Sequence, residues 1–402
     1  MHINRVFICA IIWSVLGIAT LQASEHVLDE HIAAEFGMEF AQNYLQASQV
    51  YDEMWALFPR SSDGALLYPV YYGGHFFSEK GNLVFNVVDG HLAEAETGIF
   101  AELLKRDCVE VREVRFSYQA LLLIVDDICC FVANNPDDAR EVITWRIDAP
   151  GNMVVVGISG YNEEKEAVFK RNVMDSPMVK LEAGRAVEPI IPRVNKNAST
   201  PDSALQLQPG VRIYIDELGF SAGFPAARGQ QAGFVTALHG LPLEGQAVRL
   251  GSVSGAEVGN VTAPIRFSGS ADGAFISLHQ ADFSRTVDGR TLTHSNIRPS
   301  QGMILVSVST PPDGTMRIQR NIVVTNAHFN ANMGGGLVLT DMIQTTGHAL
   351  YGESGGLVFR PVGNSAQVQG VIVGSDVASV TGDNMFFAWS EAVNHAIGVV
   401  QE

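Results

Sequence analysis

The sequence predicts two folded units: an α+β N-terminal half and, from Gly210 onward, an all-β antiparallel double β-barrel. Three observations carry this expectation. Leu28, Ile32, Phe36, Phe40 and Tyr44 recur at four-residue spacing, which marks an amphipathic helix whose stripe packs on something else. Between Val187 and Gln208 the chain turns to Pro189, Pro192, Asn195, Asn197, Ser199, Thr200 and Pro201, the composition of a linker. Beyond it, short β-rich runs alternate with Gly and Pro turns, as in antiparallel barrels.

Taken in order, Val6 to Leu21 form a mostly apolar run behind Arg5, followed by Gln22-Ala23-Ser24. This reads as a signal peptide, residues 1–23, cut after Ala23. The run is short for a membrane span, which needs about 20 residues. Leu21 is not the small residue expected at the third position before the cut, so a retained anchor stays as the alternative. The α+β unit covers residues 24–184, with strands expected over 82–88, 111–116, 143–147 and 153–158 and helical stretches around 97–106 and 117–125. The linker is assigned to 185–209 and the barrel unit to 210–402. No internal repeat is visible.

The formal charge of −17 is unevenly spread: from Gly210 onward 10 Arg, no Lys and 14 acidic residues give −4, leaving −13 on residues 1–209. Nucleic-acid binding needs a basic surface and is excluded as a function class. Of four cysteines, Cys9 leaves with the signal, and Cys108, Cys129 and Cys130 lie in the N-terminal half. Vicinal Cys129-Cys130 in an apolar stretch read as buried small side chains. A bridge from Cys108 to one of them is left open by sequence.

The chemistry concentrates in two places. Tyr351-Gly352-Glu353-Ser354-Gly355-Gly356-Leu357 sets a serine among glycines, and 115 residues upstream Val235-Thr236-Ala237-Leu238-His239-Gly240 sets a histidine behind a strand end. A serine hydroxyl attacks a carbonyl only if a base takes its proton and the developing oxyanion meets preorganised donors. Glycines let the backbone bend so that two N–H groups share one small hole, here those of Gly352 and Ser354. The same residues satisfy Gly-x-Ser-x-Gly, the nucleophile elbow, which requires an acid and then a histidine downstream. Only 48 residues follow Ser354 and their sole histidine, His395, lies in an expected C-terminal helix, so that reading fails for lack of chain. The order His, Asp, Ser has every part upstream.

The acid that orients the imidazole is assigned to Asp272, which precedes the apolar run Ala274-Phe275-Ile276-Ser277-Leu278; Asp282 and Asp288 lie in turn-like sequence and read as solvated. His328, in Val323-Val324-Thr325-Asn326-Ala327-His328, mimics the histidine motif. It lies only 26 residues before Ser354, too few to hold an acid-bearing strand, and reads as a strand-end histidine. No His-Glu-x-x-His or Cys-x-x-Cys spacing supports a metal site, and no cofactor is implied.

On these residues the stretch from Pro209 to Glu402 resembles the chymotrypsin-like serine proteases of the streptogrisin and alpha-lytic protease type. Phe220-Ser221-Ala222-Gly223-Phe224 with Gly233-Phe234-Val235-Thr236-Ala237 resembles that family's first hairpin, and Met342-Ile343-Gln344-Thr345 with Gly352-Glu353-Ser354-Gly355-Gly356 its nucleophile segment. Gly370-Val371-Ile372-Val373-Gly374-Ser375 resembles the strand lining the primary specificity pocket. The resemblance implies a secreted, monomeric serine endopeptidase acting on polypeptides through His239, Asp272 and Ser354. Its pocket walls would be His348, Ala349, Leu350, Tyr351 and Val373, Gly374, Ser375. An apolar side chain before the scissile bond is expected, with Asp376 and His348 as the groups that would alter this by turning inward. Two departures stand out: Glu353 replaces the family's usual aspartate, and Gly240 its cysteine, so no disulfide staples the barrel.

The N-terminal half resembles the pro-regions of alpha-lytic-type proteases through Tyr71-Tyr72-Gly73-Gly74-His75-Phe76, Gly81-Asn82-Leu83-Val84-Phe85-Asn86-Val87 and Val114-Arg115-Phe116-Ser117-Tyr118 with Leu121. This implies a zymogen whose own pro-region acts as folding chaperone and inhibitor. The alternatives are a permanently attached binding or adhesion domain, a catalytically inactive homologue that binds peptides, and a non-peptidase hydrolase.

Overall fold

The apolar stripe of the first helix and the period-2 runs that follow it meet in one core. The computed structural model describes residues 30–62, 64–190, 206–279, 282–376 and 384–402. Leu28 and the expected signal peptide lie outside them. The expected helix is two: α1 (Glu30–Phe36) and α2 (Met38–Leu57), broken where Gly37 takes φ 92°. Phe36, Phe40 and Tyr44 still stack across the break, with ring centroids 4.9 and 5.9 Å apart.

Strands β1 (Tyr72–Phe77) and β2 (Leu83–Val88) form an antiparallel hairpin, and after the short α3 (Leu92–Ala95) strand β3 (Val109–Val114) joins β2 in parallel. Residues 97–106, expected to be helical, are turns. Gly98, a poor helix former, lies in this stretch, and a Cβ there would sit 2.6 Å from the Tyr71 hydroxyl. Helix α4 (Tyr118–Asn134) is capped by the Ser117 side chain and runs nine residues past its expected end at 125. Then β4 (Val142–Asp148) and β5 (Met153–Ile158) form a second hairpin, and after α5 (Glu163–Asn172) strand β6 (Val179–Ala183) joins β5 in parallel. The helix–hairpin–helix–strand order thus occurs twice, a repeat of topology that the sequence does not display. Cys108, Cys129 and Cys130 are free thiols, and Cys130 is exposed rather than buried.

The short strand β7 (Val187–Pro189) comes next, inside the stretch expected to be linker. The first barrel comprises β8 (Arg212–Ile215), β9 (Leu218–Ser221), β10 (Pro225–Arg228), β11 (Gln231–Thr236), β12 (Ala247–Leu250), β13 (Glu257–Ser268) and β14 (Ala271–Leu278). They pair in the order β10-β11-β14-β13-β12-β8-β9 around Ile213, Phe220, Phe234, Val261 and Ile276. After the hairpin β15 (Thr286–Val287) and β16 (Arg290–Thr293) come β17 (Ile304–Ser309), β18 (Arg317–Gly334), β19 (Leu337–Thr345), β20 (Leu357–Val362), β21 (Ser365–Asp376) and β22 (Met385–Trp389). These last six close a ring, β17-β18-β19-β22-β21-β20 and back to β17, and β18 and β21 run on beyond it, where β4 pairs with β18 and β7 and β16 pair with β21. Helix α6 (Ser390–Ile397) is the expected C-terminal helix, and β23 (Val400–Gln401) ends the chain against β10. The C-terminal half is therefore the double β-barrel expected, and the N-terminal half is α+β.

The two halves share a sheet. Strand β4 pairs with β18 through Trp145↔Asn330 and its neighbours, so β4, β5 and β6 extend the second barrel outward. The Asn330 amide donates to the Trp145 carbonyl at 3.0 Å, and that of Asn332 to the Val142 carbonyl at 3.0 Å. One apolar cluster runs from Tyr44, Tyr51 and Trp145 into Ile304, Val324 and Ile372.

Candidate active site

β11 and β14 are neighbours, with Thr236 opposite Ala274, so the residues just past the end of one and at the start of the other converge. His239 stands three residues beyond β11 at φ 53°, a left-handed conformation uncommon outside glycine and often found at functional sites. Asp272, the second residue of β14, grips it twice: the His239 backbone N–H donates to Oδ1 at 3.0 Å and Nδ1–H to Oδ2 at 2.6 Å. The carboxylate therefore fixes the tautomer with Nε2 free to accept. Nε2 lies 2.7 Å from Ser354 Oγ. Phe267 stands edge-on to the imidazole at 5.6 Å, and Asp272 and Ser354 are fully buried. Gly273 matters here, because a Cβ would meet Val393 at 2.5 Å and push α6 off the strand that carries Asp272.

Ser354 sits in the turn between β19 and β20, which has many anchors. Gly352 and Gly355 both take φ 83°. The Gly352 carbonyl accepts from Arg212 Nη1 at 2.9 Å and from the Ser221 hydroxyl at 3.1 Å, and the Ser221 N–H donates to the Ser354 carbonyl at 2.8 Å. A Cβ on Gly352 would lie 1.8 Å from Arg212 Nη1, and one on Gly355 2.0 Å from Thr236 Oγ1. Glu353, the departure from aspartate, is buried and accepts from the Ser309 hydroxyl at 2.9 Å, from the Leu350 N–H at 2.6 Å and from Arg317. Burial pushes its carboxyl up, opposed by Arg317 and these two donors. The longer side chain thus reaches an arginine on β18 and braces the turn from within.

Of the expected pocket residues, Ala349 and Val373 are buried and Tyr351 packs partly buried on the same apolar cluster as Ala349. Ser375 Oγ donates to the Ala349 carbonyl at 3.5 Å, and the Leu350 N–H is held by Glu353. His348 turns outward to Arg317, 2.6 Å from Nη1, with burial and that guanidinium lowering its basicity. Asp376 is held by Asn384, from its N–H at 3.0 Å and its amide at 2.7 Å.

The cleft is filled by the chain itself. β7 lies antiparallel on β21, with Pro189 opposite Gly374, Glu188 opposite Ser375 and Val187 opposite Asp376. The Ile190 N–H donates to the Val373 carbonyl at 3.3 Å, and the Ile190 carbonyl oxygen lies 2.9 Å from Ser354 Oγ.

His328 is not a strand-end residue: it lies within β18, bound to Asp341 at 2.5 Å, while Arg298 clamps the same carboxylate. Asp288, expected to be solvated, pairs with Arg290 and Arg320. Sequence reasoning missed Arg212, Ser221 and Arg317. For Arg212 a signal existed, a charge inside the apolar run Val211-Arg212-Ile213-Tyr214-Ile215. Among the described residues no group of three or more His, Cys, Asp or Glu is placed to hold a metal ion, and no helix is long and apolar enough to cross a membrane.

A family model described as "Pro-like C-terminal domain" matches residues 119–184, the second helix–hairpin–helix–strand unit. No match was found among curated proteins. Among solved structures, Thermobifida fusca protease A is 22% identical, covering 49% of this chain and 98% of its own, at a TM-score of 0.39. Nocardiopsis protease is 19% identical, covering 49% and 100%, also at 0.39. Cellulomonas bogoriensis chymotrypsin is 20% identical, covering 49% and 99%, at 0.38.

Proposed function

We propose that this chain is a secreted serine endopeptidase made as a zymogen, with residues 24–184 as pro-region, 185–209 as connecting segment and 210–402 as catalytic unit. The carrying observation is the single imidazole bonded to Asp272 on one side and to Ser354 on the other. In the proposed reaction Ser354 Oγ attacks the peptide carbonyl while His239 Nε2 takes its proton. The Gly352 and Ser354 N–H groups receive the oxyanion, and His239 returns the proton to the leaving amine. Water then hydrolyses the acyl-enzyme by the same relay. Asp272 holds the tautomer and stabilises the imidazolium. The N-terminal half, built onto β18 and with its connecting segment across the cleft, suits an inhibitor and folding template. A double barrel rich in non-local pairings folds slowly, which gives such a template a task.

A fluorophosphonate probe that labels Ser354 in wild type, and nothing in Ser354→Ala, separates this reading from an inactive peptide-binding homologue. Turnover of peptides as well as esters separates it from a non-peptidase hydrolase. Activity that survives His239→Ala but not His328→Ala would refute the assignment of the base.

A further inference from the structure

We infer that the site is built to cut its own chain immediately after Ile190, and that it selects polypeptide substrates carrying a branched aliphatic residue, Ile or Val, before the scissile bond. This deepens the endopeptidase reading and rests on it.

Three observations on one segment carry the inference. First, backbone register: residues 187–189 pair with β21 as an added antiparallel strand, the way extended peptides are read through main-chain hydrogen bonds. The approach is close, since a Cβ on Gly374 would lie 2.4 Å from the Glu188 carbonyl. Second, chemistry: in that register it is the Ile190 carbonyl whose oxygen lies 2.9 Å from Ser354 Oγ, while the Ile190 N–H is fixed on Val373. Third, the side chain: Ile190 is 5% exposed and belongs to the same apolar cluster as Ala349 and Met385, with Tyr351 packed against that cluster. The charged groups near these walls have partners already. Asp376 is held by Asn384, His348 by Arg317, and Glu353 by Arg317 and Ser309. A Lys, Arg or Glu placed where Ile190 lies would therefore bury its charge unpaired.

The step balances within the chain. A bond forms between Ser354 Oγ and the Ile190 carbonyl carbon, the C–N bond following Ile190 breaks, and the serine proton passes through His239 to the departing nitrogen. Water then cleaves the ester, leaving a carboxylate on Ile190 and a free amine on the next residue. Because the segment is tethered to the site, the cut is intramolecular and its rate is independent of protein concentration.

The test follows freshly refolded full-length chain by intact mass and N-terminal sequencing, for wild type, Ile190→Val, Ile190→Ala, Ile190→Asp and Ser354→Ala. Each preparation is also treated with a fluorophosphonate, and the matured wild type is profiled on a peptide library. The expected first products end at Ile190 and begin at residue 191. Ile190→Val is cut within a few-fold of the wild-type rate. Ile190→Ala is slower by about 10- to 200-fold, the range for lost methylenes in an apolar pocket. Ile190→Asp stays uncut at that bond while Ser354 remains reactive to the probe, and the library profile is led by Ile and Val. A first cut elsewhere, equal rates for Ile190→Asp and wild type, or a library profile led by Arg, Lys, Glu or an aromatic residue overturns the inference while leaving the endopeptidase reading standing. Absence of probe labelling in matured wild type freed of its N-terminal half overturns the endopeptidase reading itself, and the inference with it.

Discussion

The ion pair between Asp52 and Arg360 tests whether the two halves are held as one cooperative body. Arg360, on β20, is 3% exposed at its side chain, and Asp52, on α2, is 29% exposed; Nη1 meets Oδ1 at 2.7 Å and Nη2 meets Oδ2. Removing one partner of a fully buried pair costs about 3–5 kcal/mol, because a charge is left without its counter-ion. Water reaches the Asp52 side, so Asp52→Ala should cost about 2–3 kcal/mol once solvent screening is allowed for. Arg360→Met leaves a carboxylate that can turn to solvent, and about 1–2 kcal/mol is expected. The double variant strands no charge, so its loss should fall short of the sum by about 1.5 kcal/mol or more. Urea unfolding of the four full-length proteins, all carrying Ser354→Ala to prevent self-cleavage, measures this directly through midpoints at constant m-value. A coupling energy under about 0.5 kcal/mol, the level seen between independent sites, would refute the claim that this pair joins the halves.

Asp272→Asn should lower kcat on a peptide substrate about 10⁴-fold through the wrong imidazole tautomer, with the unfolding midpoint nearly unchanged. Gly355→Ala should cost more than about 2 kcal/mol or prevent folding, given φ 83° and a Cβ 2.5 Å from the Ser221 carbonyl; Gly363→Ala, at φ 53° with open space around it, should cost only about 1 kcal/mol in the same denaturation assay. His75, enclosed by Tyr51 and Tyr72 and near His328, is lowered to about 3 by burial and secondarily by His328. It stays neutral in the folded chain but charges near 6.5 when unfolded. Its contribution is therefore complete above pH 6.5 and is lost as pH falls from 6.5 toward 3, by at most about 2 kcal/mol between pH 6.5 and 5. His75→Phe should flatten that part of the pH–stability curve, and an unchanged slope would sink the assignment.

His239, Asp272 and Ser354, which the structure brings together, were legible because each sits in a locally unusual context: a serine among glycines, a histidine closing a β-run, an aspartate entering one. The turn's outer supports were less legible, since Arg212 lies 98 and 140 residues from the carbonyls it binds and nothing local marks those partners. Strand β7 was read as linker because its proline and its brevity carry no strand signal of their own. It is a strand only because Val373 and Gly374 offer it an edge. The doubled topology of the N-terminal half escaped notice for a related reason: the two units share an order of elements rather than a pattern of residues.

The placement of β7 has a consequence for how the proposed activity would begin. The segment reaches the cleft from a half that is fixed independently, by β4 on β18, by the Asn330 and Asn332 amides, and by the Asp52–Arg360 pair. None of these contacts lies at the bond after Ile190, so cutting that bond removes a covalent tether without loosening the interface. The new carboxylate end would remain beside Ser354, held at the high effective concentration set by the still-bound half. Self-cleavage and release are then separate events: the first is governed by the triad, and the second by the free energy of the shared sheet and apolar cluster. Unmasking the cleft would require the N-terminal half to dissociate, unfold or be degraded, and its stability rather than the speed of the cut would set when activity appears.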